Sequence, residues 1–147
     1  PTPHFAWSEF TVTDTGLPND LTPEARENLG NLARVILEPL RAATGDRPII
    51  VTSGFRTPQV NAAIGGATNS QHLRGQAADI RSAHVSSETL AAYAMELGLP
   101  YDQLIWYHPA RGGHVHVSAI RSQTPRREVR YYPETGRSVL VESGALA

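Results

Sequence analysis

The chain has 147 residues, six histidines, no cysteine and a formal net charge of −1. That length fits one domain with a core of its own. The lack of cysteine excludes disulfides and thiolate zinc fingers, so any metal site must draw on His, Asp or Glu. The near-neutral charge gives no reason to expect nucleic-acid or anionic-membrane binding, and no apolar run approaches the ~18 residues of a membrane span.

In chain order, Pro1-Thr2-Pro3-His4-Phe5 lacks the basic-then-apolar pattern of a signal peptide. Ser8-Glu9-Phe10 reads as a short turn before a loop through Gly16, Pro18 and Asn19. Thr22 is a helix N-cap, with Pro23 at the first helical position, where its missing N–H costs nothing. Leu29, Leu32, Ala33, Ile36, Leu37 and Leu40 recur at helical spacing and predict one buried face. Pro39, inside that pattern, predicts a kink or an end. Thr44-Gly45 closes the segment.

Pro48 to Thr52 reads as a buried strand. Thr57-Pro58 starts a second helix, stopped at Gly65-Gly66. After a Ser/Asn/Gln-rich loop, Ala77 to Arg81 is the next strand. Ser86 or Ser87 caps a third helix bearing Leu90, Tyr93, Ala94 and Leu97, with Gly98 as its stop. Four short strands follow at 103–107, 114–120, 128–132 and 138–142, with a turn at Pro133-Glu134-Thr135-Gly136. No repeat or low-complexity linker interrupts the chain. The expectation is one α+β domain over 1–147, with early helices packed on a mainly antiparallel sheet, a motif-bearing core at about 8–120 and a C-terminal hairpin at about 128–142.

Two stretches carry chemistry. His114, His116 and Ser118 share one strand face, while Val115, Val117 and Ala119 share the other. The valine face suits a core, and a face with two histidines suits a cleft. By the same alternation Asp79 shares a face with Ala77, opposite Ala78 and Ile80, and Gly75 lets the loop from His72 turn back toward Asp79. His72, Asp79 and His116 form a nitrogen–oxygen–nitrogen set, the ligand types of a three-residue catalytic zinc site with a fourth position left to water. Read singly, each is also an ordinary hydrogen-bonded strand or cleft residue, and spacing alone does not bring distant segments together.

Ser53-Gly54-Phe55-Arg56, Ser70-Gln71-His72, Gly75, Ala77-Ala78-Asp79-Ile80 and His114-Val115-His116 together resemble the signature of the zinc D-alanyl-D-alanine carboxypeptidase superfamily. That group also includes phage L-alanyl-D-glutamate endopeptidases and the zinc domain of hedgehog proteins. The chain is most similar to small phage-type members, sharing Ser8-Glu9-Phe10 and Asp102-Gln103-Leu104-Ile105 with them. The resemblance runs from about Ser8 to Ser118.

The resemblance implies one Zn²⁺ per chain on His72, Asp79 and His116. Arg56 matches the arginine that faces the substrate carboxylate or the scissile carbonyl, although an arginine after a strand also commonly makes a surface ion pair. Ser70, Gln71 and Tyr107 are candidates for substrate binding; Ser70 and Gln71 can equally cap a loop. Several relatives carry a carboxylate just before the last histidine motif, where this chain has Gly112-Gly113. His114 is the nearest candidate to handle the proton instead, with Asp102 and His108 as fallback bases. The implied activity is zinc-dependent hydrolysis of an amide bond in a peptidoglycan stem peptide, as a D-Ala-D-Ala carboxypeptidase or an endopeptidase. The alternative is an inactive zinc-binding module of the cell wall or of a protein interaction. A monomer is expected, with no nucleic-acid partner and no membrane insertion. Without a signal peptide, phage or prophage origin fits, with release at lysis or carriage in the virion. A precursor whose signal was removed also fits.

Overall fold

The computed structural model describes residues 1–142, so the last five residues of the expected 1–147 domain lie outside the described ones. Thr22 Oγ1 accepts from Ala25 N at 3.1 Å and caps α1 (Pro23–Leu32), a contact typically worth ~1 kcal/mol. Pro39 does not end the helix. A π-helical turn at Ala33–Leu37 leads directly into α2 (Glu38–Ala43). A proline ring collides with the carbonyl four residues back, and that residue, Val35, lies in the widened turn; the irregularity is placed where the proline needs it. The joined helix buries Leu29, Leu32, Ala33, Ile36, Leu37 and Leu40 completely.

A six-stranded sheet follows in the order β1-β2-β4-β3-β5-β6. The strands are β1 (Ile50–Ser53), β2 (Ala77–Arg81), β3 (Gln103–Tyr107), β4 (Val115–Ser118), β5 (Glu128–Tyr132) and β6 (Val139–Glu142). All neighbouring pairs are antiparallel except β3 with β5. Three strands differ from expectation at their ends: β1 starts two residues late, β4 is shorter at both ends and β6 starts one residue late. α3 (Pro58–Ala63), capped by Thr57, and α4 (Ser87–Glu96), capped by Ser86, complete the regular elements. α4 lies between β2 and β3 in the chain, where the third helix is expected.

One sheet face supplies Ala78, Ile80, Leu104, Val115, Val117 and Val129 to a single core with the joined helix and α4. Period-two alternation therefore turns Ala77, Asp79, His116 and Tyr107 to the other face. Main-chain contacts lock the segments that border that face. Phe55 N donates to Phe10 O at 2.8 Å, and Arg56 N to His72 O at 3.0 Å. Buried Asn19 donates to Phe55 O and accepts from Thr57 N.

Candidate active site

β2 and β4 pair with Asp79 directly opposite His116. His72 arrives from a 3-10 turn (Gln71–Arg74) that ends on Gly75 at φ +71°. A Cβ at Gly75 would lie 2.7 Å from Ala25 O of α1, so the loop needs glycine for its conformation and for its closeness to the helix. The three side chains converge: Asp79 Oδ1 lies 3.4 Å from His72 Nε2 and 3.2 Å from His116 Nδ1. They form a group that can hold one metal ion.

The donor set can be tested against such an ion. His72 Nδ1 sits 2.6 Å from Gly54 O; a carbonyl only accepts, so the proton is on Nδ1. The Nε2 of a neutral His72 then turns a lone pair toward a carboxylate oxygen, a contact that is favourable only with a proton or a cation between them. Two ligands ~2.0–2.1 Å from a tetrahedral zinc lie ~3.3 Å apart, which brackets with the two observed separations. The Gly54 carbonyl also fixes ring orientation as outer partners of metal-bound histidines do. Buried His116 Nε2 has no protein partner among the described residues. The residues offer the N/O/N donor set that suits a zinc ion.

Burial pushes the Asp79 carboxyl up, but the His116 and His72 side chains beside it outweigh burial and hold the group well below the usual carboxylate range. Burial pushes His116 down, and the Asp79 contacts only partly offset this. An ionised carboxylate beside neutral imidazole is the protonation pattern of metal ligands.

Arg56 is tied to the same carboxylate. Its Nη2 donates to Asp79 Oδ2 at 3.2 Å, Nε to Ser53 Oγ at 3.0 Å and Nη1 to Asn61 Oδ1 at 3.4 Å. It is an ion pair, but one at the cluster and only 12% exposed, not on the open surface. Arg56 also lines a cleft of about 310 Å³ bounded by Val12, Thr15, Ser53, Val60 and Ile64. Ser70 and Gln71 line a different cleft of about 360 Å³. Ser70 Oγ accepts from His72 N at 3.2 Å, and Gln71 Nε2 donates to Asp102 Oδ2 at 3.0 Å. Both therefore support the His72 loop as well as lining a cleft.

Neither fallback base is in the converging group. Asp102 is buried and accepts from Gln71 and from the backbone and side chain of Arg126. Burial raises its pKa, the Arg126 contacts outweigh that, and the group stays ionised below the ordinary range as a structural anion. His108 Nδ1 accepts from Ala110 N at 3.0 Å and caps the turn at Pro109–Arg111. His114 stacks on Tyr107 with ring centroids 4.1 Å apart, and its imidazole makes no hydrogen bond among the described residues. Burial pushes His114 down, with Asp79 partly opposing. Burial, with Tyr132 and Asp79, pushes the Tyr107 phenol up to about 12. Trp106 packs on the core side against Tyr131. Gly112 and Gly113 have φ +102° and +62°, which side chains rarely adopt.

The family model of peptidase M15 matches residues 3–118. The chain belongs to the peptidase M15 family. It is also 38% identical over 82 residues to the zinc D-Ala-D-Ala carboxypeptidase of Streptomyces albus G. The match covers 56% of this chain and 32% of that relative, so it spans about a third of the relative's length. Gly54 and Asn61 also support the site, although the sequence assigns neither a role. Gly54 leaves no room for a Cβ, which would lie 2.8 Å from the Phe10 backbone, and its carbonyl orients His72. Its position between Ser53 and Arg56 in the motif was the available signal. Asn61 had none: its bonds to Arg56 and Ala67, though local, belong to no motif.

Proposed function

We propose that this chain is a zinc-dependent peptidase that hydrolyses an amide bond of a peptidoglycan stem peptide, with one zinc on His72, Asp79 and His116. The observation that carries this reading is the single oxygen Asp79 Oδ1 facing one nitrogen of each histidine. M15 membership and the named activity of the Streptomyces relative support the substrate class. Zinc supplies a Lewis acid for the scissile carbonyl and brings the acidity of water toward neutrality. Arg56 steadies Asp79 and offers the substrate what its other bonds leave over. A guanidinium has five N–H donors; three are engaged here, which leaves two. They suit a terminal carboxylate or the oxygen of a carbonyl gaining negative charge. His114, with no hydrogen bond to its ring among the described residues and its pKa lowered, accepts the proton from the attacking water and returns it to the leaving amine. Tyr107, whose phenol stays neutral, donates a hydrogen bond to substrate.

The test is zinc-dependent release of fragments from purified peptidoglycan. Loss of a terminal D-alanine marks a carboxypeptidase, and an internal cut marks an endopeptidase. Binding of the wall peptide without fragments, in a fully metal-loaded chain, favours the inactive module instead.

A further inference from the structure

His114 has no hydrogen bond to its ring among the described residues, so something else must hold it. Its neighbour across the sheet is Tyr107, whose N donates to His114 O at 3.0 Å. Tyr107 is in register with Tyr132 of β5. Neighbouring strands lie ~4.8 Å apart, so flat side chains on one face in one row stack at about that spacing. The three rings do so: His114 to Tyr107 is 4.1 Å with 18° between planes, and Tyr107 to Tyr132 is 4.7 Å with 2°. Arg111 closes the outer end with its guanidinium 5.2 Å from the Tyr132 centroid. Arg111 is itself tied to the carbonyls of Glu134 and Gly136 in the β5–β6 turn.

We infer that Tyr132, backed by Arg111, is a positioning residue that holds His114 through Tyr107. Tyr132 lies beyond residues 3–118, so the support comes from the part of the chain that the family match does not reach. A free imidazole on a strand end rotates about two side-chain bonds. A tyrosine face fixes one of its sides, and that tyrosine keeps its own orientation because a second ring stops it from tilting away. This inference rests on the proposed role of His114, but the placement of the ring can be measured without any activity.

The experiment compares Tyr132→Leu, Tyr132→Met and Tyr132→Phe in the zinc-loaded full chain at fixed pH. The first readout is the NMR position of the His114 ring protons, assigned by their loss in His114→Gln. Stacked on Tyr107 they resonate upfield. They should move toward the free-imidazole position in Tyr132→Leu and Tyr132→Met and stay in place in Tyr132→Phe. The second readout is turnover of a soluble stem peptide. Turnover should fall ~10-fold in kcat with little change in KM or zinc content, the pattern of a misplaced reacting group, and Tyr132→Phe should restore it. Unmoved His114 resonances in the Leu and Met variants overturn the inference. So does loss of zinc in step with kcat, or failure of both variants to fold, because either makes Tyr132 merely structural. If the parent chain turns over no substrate, the proposed function fails and the resonances alone decide the placement.

Discussion

Arg56 Nη2 donates to Asp79 Oδ2 at 3.2 Å, and the other oxygen of the same carboxylate, Oδ1, faces both histidines. One oxygen is thus held by the guanidinium and the other is presented to the metal position. In the proposed mechanism Arg56 thus orients a ligand as well as facing substrate. That double duty makes lysine a poor substitute, since an ammonium lacks the planar fork that reaches Ser53, Asn61 and Asp79 together.

Arg56→Lys should therefore weaken zinc binding by ~10-fold, the lower end for loss of a partner to a ligand. At saturating zinc its kcat/KM should still fall by ~10²-fold or more. Chelator competition and steady-state kinetics give the two numbers separately. Turnover at the parental rate would show that the fork is structural only.

His114 and His116 share a strand face and should part company in metal content. His114→Ala should keep its zinc and lose activity by ~10²-fold or more, because its ring is not in the converging group. His116→Ala should lose the metal, since it removes one of three donors. Metal analysis after dialysis, paired with a fragment-release assay, distinguishes the roles. A zinc-free His114→Ala would make His114 a ligand.

Two glycines with the same backbone angle allow the helix contact to be measured. Gly75 and Gly45 have φ +71° and +77°, but a Cβ at Gly75 meets α1 while one at Gly45 meets nothing within 4 Å. Gly45→Ala should cost only the left-handed penalty of ~1 kcal/mol. Gly75→Ala should cost ~2–4 kcal/mol and weaken metal binding as the His72 loop shifts. Urea denaturation of the two variants checks this, and equal losses would contradict it.

Acid should remove the contribution of Asp102. Its pKa is lowered in the folded chain from an ordinary 3.8 by Arg126 and Gln71, against the effect of burial. A carboxyl with a depressed folded pKa stabilises above its unfolded value and loses that contribution as pH falls through the folded one. The stability advantage of the parent over Asp102→Asn, measured on metal-free protein, should be flat from neutrality to about pH 4. Below that it should shrink steadily. An advantage that grows on acidification would reverse the assignment.

Much of the site was legible in the sequence because its signals are local. Caps at Thr22, Thr57 and Ser86 need only a side-chain oxygen and the next turn of backbone. Strand alternation alone separated Val115 and Val117 from His116, and Ala78 and Ile80 from Asp79. The N/O/N chemistry of His72, Asp79 and His116 is a property of residue type, and motif resemblance supplied the pairing that spacing could not.

The tertiary structure decided whatever depends on partners far along the chain. Asp79 meets His116 only because β2 pairs with β4 in that register; a slip of one residue would send one of them to the core. Asp102 is paired with Arg126, 24 residues on, a contact that no local signal marks. Pro39 predicts a kink or an end, and a core that buries Leu37 and Leu40 on either side favours continuing through a widened turn. Tyr132 carries no motif at all, and only the parallel pairing of β5 with β3 brings its ring against Tyr107. Residue type and alternation fix what a side chain can do and which way it points; strand pairing across the sheet fixes which side chain it meets.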